Sequence, residues 1–205
     1  MLVTEGVCIR NLGRVEYEPT RIAMREFNAR RDGATPDELW LLEHSPVYTL
    51  GLGADPVHGP RVANGIPVVK AERGGEITYH GPGQLVMYTL IDLARRALKV
   101  KRFVWLLEQS VIDLLGGKGE RRPGAPGIYV GGAKIAALGI RVSRGCAYHG
   151  LALNVDMDLA PFAAIDPCGY PGLAVTQMRD LGFAASVETA GPRLAEILWE
   201  KIENA

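Results

Sequence analysis

A predicted β-hairpin in the second half of the chain constrains the fold more than any other local feature. Two runs of strand-forming residues, at 127–130 and 133–140, are separated only by Gly131 and Gly132. A two-residue glycine turn favours a hairpin, because hairpin turns need positive φ angles. A third strand at 147–155 is expected to return antiparallel after residues 143–145. The sequence therefore predicts antiparallel pairing here.

The rest of the chain alternates irregularly between helical and strand-like patterns. Apolar spacing predicts helices at about 20–31, 103–115 and 193–203. Runs of β-forming residues predict strands at 7–12, 39–42, 47–50 and 84–93. We therefore expect an α+β fold with a mixed sheet and helices packed on it.

Size and charge limit the class of protein. The 205 residues carry 23 Lys+Arg against 23 Asp+Glu, so we expect one domain, 1–205, and no nucleic-acid partner. The basic segments 95–102 and 118–122 are interpreted as solvated, or as a strip for an acidic protein partner. No apolar run is long enough for a signal peptide or a membrane span. Three scattered cysteines without a pairing pattern favour a reducing cytoplasm.

Cys168 is the strongest candidate for a reactive side chain. It lies in Asp166-Pro167-Cys168-Gly169-Tyr170, between a residue with fixed φ and one that tolerates positive φ. That setting predicts a tight turn that presents the thiol, whereas a structural cysteine usually lies in an apolar run. An ordinary loop thiol is the alternative. Cys8, in a predicted strand, and Cys146, in a predicted turn, are interpreted as structural.

A glycine-rich cluster spans residues 73–84, Arg73-Gly74-Gly75-Glu76-Ile77-Thr78-Tyr79-His80-Gly81-Pro82-Gly83-Gln84. Its glycines allow close approach of the main chain to another group, and its polar side chains supply hydrogen-bonding groups. Neither common phosphate-binding glycine motif is present. The cluster predicts a binding loop, with structural turns alone as the alternative.

Lys134 is the second candidate for chemistry, as the only charge among small and apolar neighbours. Such a lysine usually extends to solvent. If it is buried instead, its pKa falls and it can carry protons. A nearby ammonium would also lower the pKa of a thiol such as Cys168. The four histidines show no zinc-binding spacing, so no metal is expected.

Five motifs in order resemble the lipoyl(octanoyl) transferase family, and together they extend over nearly the whole chain. The motifs are Leu42-Glu43-His44-Ser45-Pro46-Val47-Tyr48-Thr49-Leu50-Gly51, the cluster 73–84, Gly132-Ala133-Lys134-Ile135-Ala136-Ala137-Leu138-Gly139-Ile140, His149-Gly150-Leu151-Ala152-Leu153-Asn154-Val155 and Pro167-Cys168-Gly169. The resemblance implies a largely antiparallel mixed sheet flanked by helices, the fold of biotin and lipoate protein ligases. It also implies transfer of octanoyl from octanoyl-acyl carrier protein to a lysine of lipoyl domains, in 2-oxoacid dehydrogenases and the glycine cleavage H protein, without a cofactor.

The resemblance assigns roles to individual residues. Cys168 matches the acyl-carrying nucleophile, and Lys134 matches its acid/base partner. The matched acyl-binding residues are Arg73, Gly74, Gly75, Glu76, Ile77, Thr78, Tyr79, His80, Ala137, Leu138, Gly139, Gly150, Leu151 and Ala152. Main-chain N–H groups near Leu138, Gly139 or Gly169 are expected to stabilise the oxyanion.

Two alternatives stay open from the sequence. One is an ATP-dependent lipoate or biotin ligase of the same fold, and the other is a non-catalytic acyl-binding protein in which Cys168 only lines a pocket. The chain also departs from the family after the cysteine. Many relatives have Thr-Ser before an apolar residue, whereas this chain has Thr176-Gln177-Met178. The role of position 177 is therefore open.

Overall fold

The computed structural model describes residues 2–4, 6–55, 59–61, 64–166 and 172–205. Cys168 and Gly169 lie outside the described residues. The described strands and α-helices are β1 Leu2–Thr4, β2 Val7–Val15, α1 Tyr17–Arg30, β3 Asp37–His44, β4 Val47–Leu50, β5 Val68–Lys70, β6 Ile77–His80, β7 Gln84–Asp92, α2 Val100–Leu114, β8 Glu120–Arg121, β9 Gly127–Val130, β10 Ala133–Ser143, β11 Cys146–Asn154 and α3 Val187–Glu203.

The larger sheet runs in the order β1-β2-β3-β7-β11-β10-β9-β8. Its neighbours pair antiparallel except for β2 with β3. The predicted hairpin is confirmed as β9 and β10, joined by Gly131 and Gly132. The predicted third strand is confirmed as β11, which pairs antiparallel with β10. Residues along β7 and β11 are almost all buried, which explains why their sequences alternate poorly.

Helices cover both faces of this sheet. One face packs on α2 and α3 through a core that includes Met87, Leu107 and Leu198. The other face packs on α1 through a smaller core that includes Met24, Trp40 and Tyr88. The helix α1 places Tyr17, Thr20, Met24 and Asn28 on one buried side, the spacing expected for an amphipathic helix. Among the described residues, no helix is both long enough and apolar enough to cross a membrane.

A second, three-stranded sheet in the order β5-β4-β6 lies over the α1 side. Its strand β6 comes from the glycine-rich cluster and pairs antiparallel with β4. The sequence predicts a binding loop here, so the strand β6 is a difference from that prediction. Only four residues of it are extended, and glycines on both sides hide the β pattern.

The C-terminal helix begins earlier than the sequence predicts. We expected a start near Arg193, but α3 begins at Val187. Ser186 and Thr189 cap its first turn reciprocally, each side chain bonded to the main chain of the other. The helix continues through Gly191, where a Cβ would lie 3.3 Å from Leu85 and 3.4 Å from Leu41. The small residue therefore lets α3 lie close to the sheet.

Candidate active site

A narrow, mostly apolar slot lies between the smaller sheet and the α1 face of the larger sheet. Its volume is about 50 Å³. Its walls are formed by strands of both sheets, the glycine-rich segment and the start of α1. The residues that line it are Tyr17, Arg73, Gly75, Glu76, Ile77, Thr78, His80, Val86, Tyr88, Ala137, Leu138, Gly139, His149, Gly150, Leu151 and Ala152.

Paired small residues keep the floor of the slot open. Ala137 lies opposite Ala152, and Gly139 lies opposite Gly150, on the neighbouring strands β10 and β11. A Cβ on Gly150 would lie 2.1 Å from the carbonyl oxygen of Met87. A Cβ on Gly139 would lie 2.9 Å from the carbonyl oxygen of Gly74. Both contacts are too short, so the close approach of the strands and the loop requires glycine.

The glycine-rich segment is held against β4 by Arg73. The guanidinium donates to the carbonyl oxygen and hydroxyl of Thr49, both at 2.7 Å, and to the carbonyl oxygens of Gly74 and Glu76 at 3.0 and 2.9 Å. A Cβ on Gly51 would lie 2.2 Å from the carbonyl oxygen of Gly75. The loop glycines therefore act as the sequence predicts, by allowing close main-chain contact.

A hydrogen-bonded chain of buried side chains includes two residues of the slot lining, Arg73 and His80. Thr49 Oγ1 accepts from Arg73 and lies 3.4 Å from His80 Nε2. His80 Nδ1 donates to Gln84 Oε1 at 2.7 Å. Gln84 Nε2 donates to Asn154 Oδ1 at 3.0 Å, and Asn154 Nδ2 donates to the carbonyl oxygen of Thr176 at 2.9 Å. Burial, with further lowering by His44 and Arg73, reduces the pKa of His80 to about 3, so the ring is neutral.

A second buried histidine, His44, supports the wall behind His80. Its Nδ1 donates to the carbonyl oxygen of Val15 at 3.0 Å, and its Nε2 accepts from the Tyr88 hydroxyl at 2.7 Å. Burial lowers the pKa of His44 to about 4. The rings of His44 and His80 lie 5.9 Å apart. Two neutral rings can pack this closely because neither carries charge at neutral pH.

Lys134 is buried rather than extended to solvent, with 4% of its surface exposed. Its Nζ donates to the carbonyl oxygen of Pro126 at 3.0 Å and lies 5.4 Å from the centre of the Tyr129 ring. Gly127 makes room for it, since a Cβ there would lie 2.5 Å from Lys134 Cε. An outer groove of about 390 Å³ lies beside the slot. It is lined by Pro126 and also by slot residues Gly75, Glu76, Leu138 and Gly139.

The segment after the Pro-Cys-Gly motif pairs with Lys134 through the main chain. The Lys134 N–H donates to the carbonyl oxygen of Ala174 at 2.8 Å. The Thr176 N–H donates to the carbonyl oxygen of Lys134 at 3.0 Å. Gln177 next to it accepts from the Met157 N–H at 2.7 Å and donates to Asp180. The residue that departs from the family pattern therefore ties two loops together. Cys168 itself lies outside the described residues.

Most of the predicted acyl-binding residues line the slot, with Gly74 and Tyr79 as the exceptions. Gly74 bonds to Ile140 through its N–H at 3.0 Å, and Tyr79 packs between Tyr48 and Phe162. Four further lining residues were not predicted: Tyr17, Val86, Tyr88 and His149. Of these, only His149 carried a signal, since it precedes Gly150 within a motif of the resemblance.

Solved structures with the same fold are lipoate and biotin protein ligases. A putative lipoate protein ligase from T. acidophilum with bound lipoic acid has a TM-score of 0.75 at 16% identity, over 95% of this chain and 85% of that chain. A lipoate-protein ligase A bound with ATP has a TM-score of 0.74 at 16% identity, over 96% of this chain and 85% of that chain. The biotin protein ligase from Aquifex aeolicus, with biotin and ATP, has a TM-score of 0.56 at 8% identity, over 98% of this chain and 71% of that chain. The predicted fold class is confirmed.

Sequence relatives narrow the class further. The lipoyl protein ligase A/B catalytic domain matches residues 18–198. The octanoyltransferase of Thiobacillus denitrificans is 60% identical, over 96% of this chain and 91% of that protein. The octanoyltransferase of Aromatoleum aromaticum is 59% identical, over 95% of this chain and 85% of that protein. The octanoyltransferase of Dechloromonas aromatica is 55% identical, over 96% of this chain and 97% of that protein. The chain therefore belongs to the lipoyl protein ligase A/B catalytic family and, within it, to the octanoyltransferases, which are acyltransferases. The resemblance found in the sequence is confirmed.

Proposed function

We propose that the chain transfers an octanoyl group from octanoyl-acyl carrier protein to a specific lysine of lipoyl domains, in 2-oxoacid dehydrogenase subunits and the glycine cleavage H protein. The slot carries this proposal. It is narrow and mostly apolar, and its floor is made of small residue pairs. The outer groove beside it is lined by Pro126, whose carbonyl oxygen accepts from the buried Lys134. A narrow, mostly apolar lining is suited to an unbranched acyl chain, and the predicted acyl-binding residues supply most of that lining.

In the first half-reaction the Cys168 thiolate attacks the thioester carbonyl carbon. A C–S bond to Cys168 forms and the C–S bond to the carrier breaks. The carrier thiolate takes a proton from Lys134 and leaves as the thiol, which leaves Lys134 able to accept a proton in the second half-reaction. One thioester replaces another, so this step needs no ATP. The oxyanion of the tetrahedral intermediate is expected to accept from main-chain N–H groups near Leu138, Gly139 or Gly169.

In the second half-reaction the acceptor lysine attacks the acyl-enzyme. A C–N bond forms, the C–S bond breaks, and the Cys168 thiolate is restored. A lysine with a pKa of about 10.4 is less than about 0.1% neutral at pH 7, so a base has to take its proton. We assign that role to Lys134, whose burial and bond to Pro126 fix its amine in one place. Ala174, six positions after Cys168 in the sequence, bonds to the Lys134 main chain.

Burial of the acyl tail supplies binding free energy. Each buried CH₂ contributes about 0.8 kcal/mol, so six of them contribute at most about 5 kcal/mol. Adding or removing one methylene changes the binding free energy of the acyl tail by about 1–3 kcal/mol. We therefore expect modest selection among acyl chains of neighbouring length.

A basic surface beside the outer groove supports an acidic carrier protein as the donor. Lys99, Lys101 and Arg102 are exposed at the start of α2, and Val104 on the same helix lines the groove. The Arg102 guanidinium lies 4.5 Å from the Trp105 ring, which is 38% exposed. Such a surface attracts a negatively charged partner and orients it. The carrier would then deliver its thioester at the groove.

We place the reaction in the cytoplasm. Cys8 and Cys146 are both free thiols and both buried. A reducing compartment maintains that state and keeps a catalytic thiol available as well. The proposed nucleophile would be inactive as a disulfide.

The acyl-enzyme is tested by the intact mass of the protein after brief incubation with octanoyl-acyl carrier protein and no acceptor. We expect one octanoyl adduct that hydroxylamine removes. The adduct should be absent in Cys168→Ala and present in Cys146→Ala, a buried cysteine that serves as the matched control. Lys134→Ala should slow the loss of the adduct after a lipoyl domain is added.

Other outcomes would redirect the assignment. No adduct on a folded protein with a competent carrier would rule out the covalent route. Adduct formation in Cys168→Ala would exclude Cys168 as the nucleophile. Modification of a lipoyl domain from free octanoic acid and ATP, but not from the carrier, would identify a ligase instead.

A further inference from the structure

Glu108 is a carboxylate on the buried side of α2. Only 8% of its surface is exposed, and the other buried side chains of this helix are apolar apart from Ser110. A buried charge is tolerated only when partners replace its hydration. Each carboxylate oxygen has such a partner, since Oε2 accepts from Arg121 Nε at 3.1 Å and Oε1 accepts from the main-chain N–H of Gly127 at 3.2 Å. Glu108 therefore joins α2 to the strands β8 and β9.

The N–H that Glu108 binds belongs to the peptide unit that holds Lys134. The carbonyl oxygen of the same unit is that of Pro126, which accepts from Lys134 Nζ at 3.0 Å. This peptide bond is trans, so its N–H and C=O lie in one plane and point in opposite directions. Glu108 and Lys134 therefore bind the two ends of one rigid group. A rotation that breaks one of these bonds also breaks the other.

Glycine at position 127 makes this peptide unit easy to rotate. The φ of Gly127 is 133°, a conformation that glycine adopts freely among many others. A larger residue is excluded, because its Cβ would lie 2.5 Å from Lys134 Cε. The close approach of Lys134 thus requires the most flexible residue at the point where the carbonyl has to be held. The Glu108 carboxylate supplies the restraint that a side chain at position 127 would otherwise give.

The charge of Glu108 also strengthens the bond to Lys134. A carboxylate at the N–H end polarises the peptide unit, which makes the Pro126 carbonyl oxygen a better acceptor. Arg121 in turn fixes the carboxylate, and its guanidinium also donates to Gln109 Oε1 at 2.8 Å. A continuous series of bonds therefore runs from Arg121 through Glu108 and the peptide unit to the Lys134 amine.

We propose that Glu108 is a positioning residue for octanoyl transfer. Through the peptide unit between Pro126 and Gly127, it holds the Lys134 amine where that amine exchanges protons with the carrier thiolate and the acceptor lysine. Glu108 acts through Lys134 and takes no part in proton transfer itself. This inference deepens the proposed function and rests on it, since it assumes that Lys134 carries the protons.

The test measures the rate at which the octanoyl adduct is lost after a lipoyl domain is added. The proteins compared are the wild type, Glu108→Gln, Lys134→Ala and the double variant. In Glu108→Gln the amide oxygen should face Arg121, because a bond to a guanidinium is the stronger one, and the amide NH₂ then cannot accept from Gly127. We expect about tenfold slower loss, with the same dependence on lipoyl-domain concentration. In the Lys134→Ala background, the substitution should change the rate by less than about twofold, because its effect passes through the missing amine.

Labelling of Lys134 with acetic anhydride, followed by peptide mass, gives a readout that does not depend on acyl transfer. Release of the peptide unit should free the amine, so Glu108→Gln should be labelled about fivefold faster, the factor expected for one lost hydrogen bond. The matched control is Glu38→Gln. Glu38 is also a buried glutamate, and it accepts from Arg10 at 2.7 Å and from the Trp40 indole N–H at 2.5 Å. Its substitution should leave both readouts at the wild-type level.

Glu108→Asp is the second variant if Glu108→Gln does not fold. It keeps the buried charge and the ion pair with Arg121, but its side chain is shorter by about 1.5 Å. The bond to Gly127 should then be lost, and both readouts should change as in Glu108→Gln.

A wild-type rate of adduct loss in the folded variant would overturn the positioning role. Equal slowing with and without the Lys134 amine would also overturn it, because the effect would then be structural. Absence of any adduct on the wild-type protein would instead overturn the proposed covalent route. The labelling of Lys134 would then decide the positioning role alone, with faster labelling supporting it and unchanged labelling overturning it.

Discussion

At the scale of single residues, three buried histidines make the stability of the folded protein sensitive to acid. They are His44, His80 and His149. Their pKa values of about 4, 3 and 3 lie well below the usual 6.5 because burial disfavours the charged ring. The unfolded chain therefore binds protons between pH 6.5 and about 4 that the folded protein does not bind. Stability should then fall as the pH falls.

We expect the free energy of unfolding to drop between pH 7 and pH 5. Each of the three histidines contributes about 2 kcal/mol to that drop at pH 5. Carboxylates titrate near pH 4 and below, so they add little in this window. Urea denaturation at the two pH values measures the effect, and His80→Gln should reduce the drop by about 2 kcal/mol. A midpoint that does not move with pH would contradict the neutral state of these rings.

Residue roles were predictable where they depend on local sequence. Lys134 stands out as a lone charge among apolar neighbours, and the structure places it in a buried position. Tyr17 gives no such signal, because a tyrosine at the start of a helix looks like ordinary core. Its hydroxyl, which has no hydrogen-bond partner among the described residues, is enclosed only when α1 is packed against both sheets. Tertiary packing creates that property, and local sequence does not encode it.

At the scale of elements, the pairing of β10 with β11 determines the shape of the slot. Facing pairs of alanine and glycine leave a gap where larger side chains would fill the space between the sheet and the glycine-rich loop. The gap depends on main-chain contacts, such as that of Gly150 with Met87. Any added side chain there has to displace a strand.

Gly150→Ala should therefore damage both stability and transfer. The new Cβ would lie 2.1 Å from the Met87 carbonyl oxygen, and overpacking of this kind costs about 1–3 kcal/mol. Gly33→Ala is the matched control, because no atom lies within 4 Å of its added Cβ. Thermal unfolding and octanoyl transfer are the measurements. Equal melting temperatures for the two variants would show that the strand yields easily.

Elements with local signals were predicted, and those defined by distant contacts were not. The hairpin of β9 and β10 follows from the Gly131-Gly132 turn and the strands beside it. The pairing of β4 with β6 joins residues about thirty positions apart, so no local pattern indicates it. The sequence predicts that α3 starts at Arg193, after Pro192, whereas the helix runs through that proline. Its cap uses threonine at the third position instead of the more common glutamate or glutamine.

At the scale of the whole molecule, a net charge of zero hides an uneven surface. The exposed start of α2 is basic and borders the outer groove. We expect Arg102→Glu to raise the KM for octanoyl-acyl carrier protein about fivefold, equivalent to about 1 kcal/mol, with little change in kcat. Added salt should raise the wild-type KM and reduce the difference between the two proteins.

The control for this charge reversal is Arg30→Glu, on the helix that covers the opposite face of the sheet. Its side chain is 76% exposed, so the substitution changes net charge equally without altering the groove. A similar rise in KM for both variants would indicate a general charge effect, and the carrier would then dock elsewhere.

The chain of side chains from Arg73 to Thr176 has a direction. In every bond the residue nearer Arg73 is the donor. The guanidinium donates to Thr49, Thr49 to His80, and His80 to Gln84. Gln84 then donates to Asn154, and Asn154 to the carbonyl oxygen of Thr176. The cation at its head polarises each bond, and each polarised donor strengthens the next. Only one tautomer of His80 and one amide orientation of Gln84 keep the series intact. A flip at any link would break the series at that point. The side chains from Arg73 to Asn154 therefore behave as a single polarised unit, which ends at the segment bonded to Lys134.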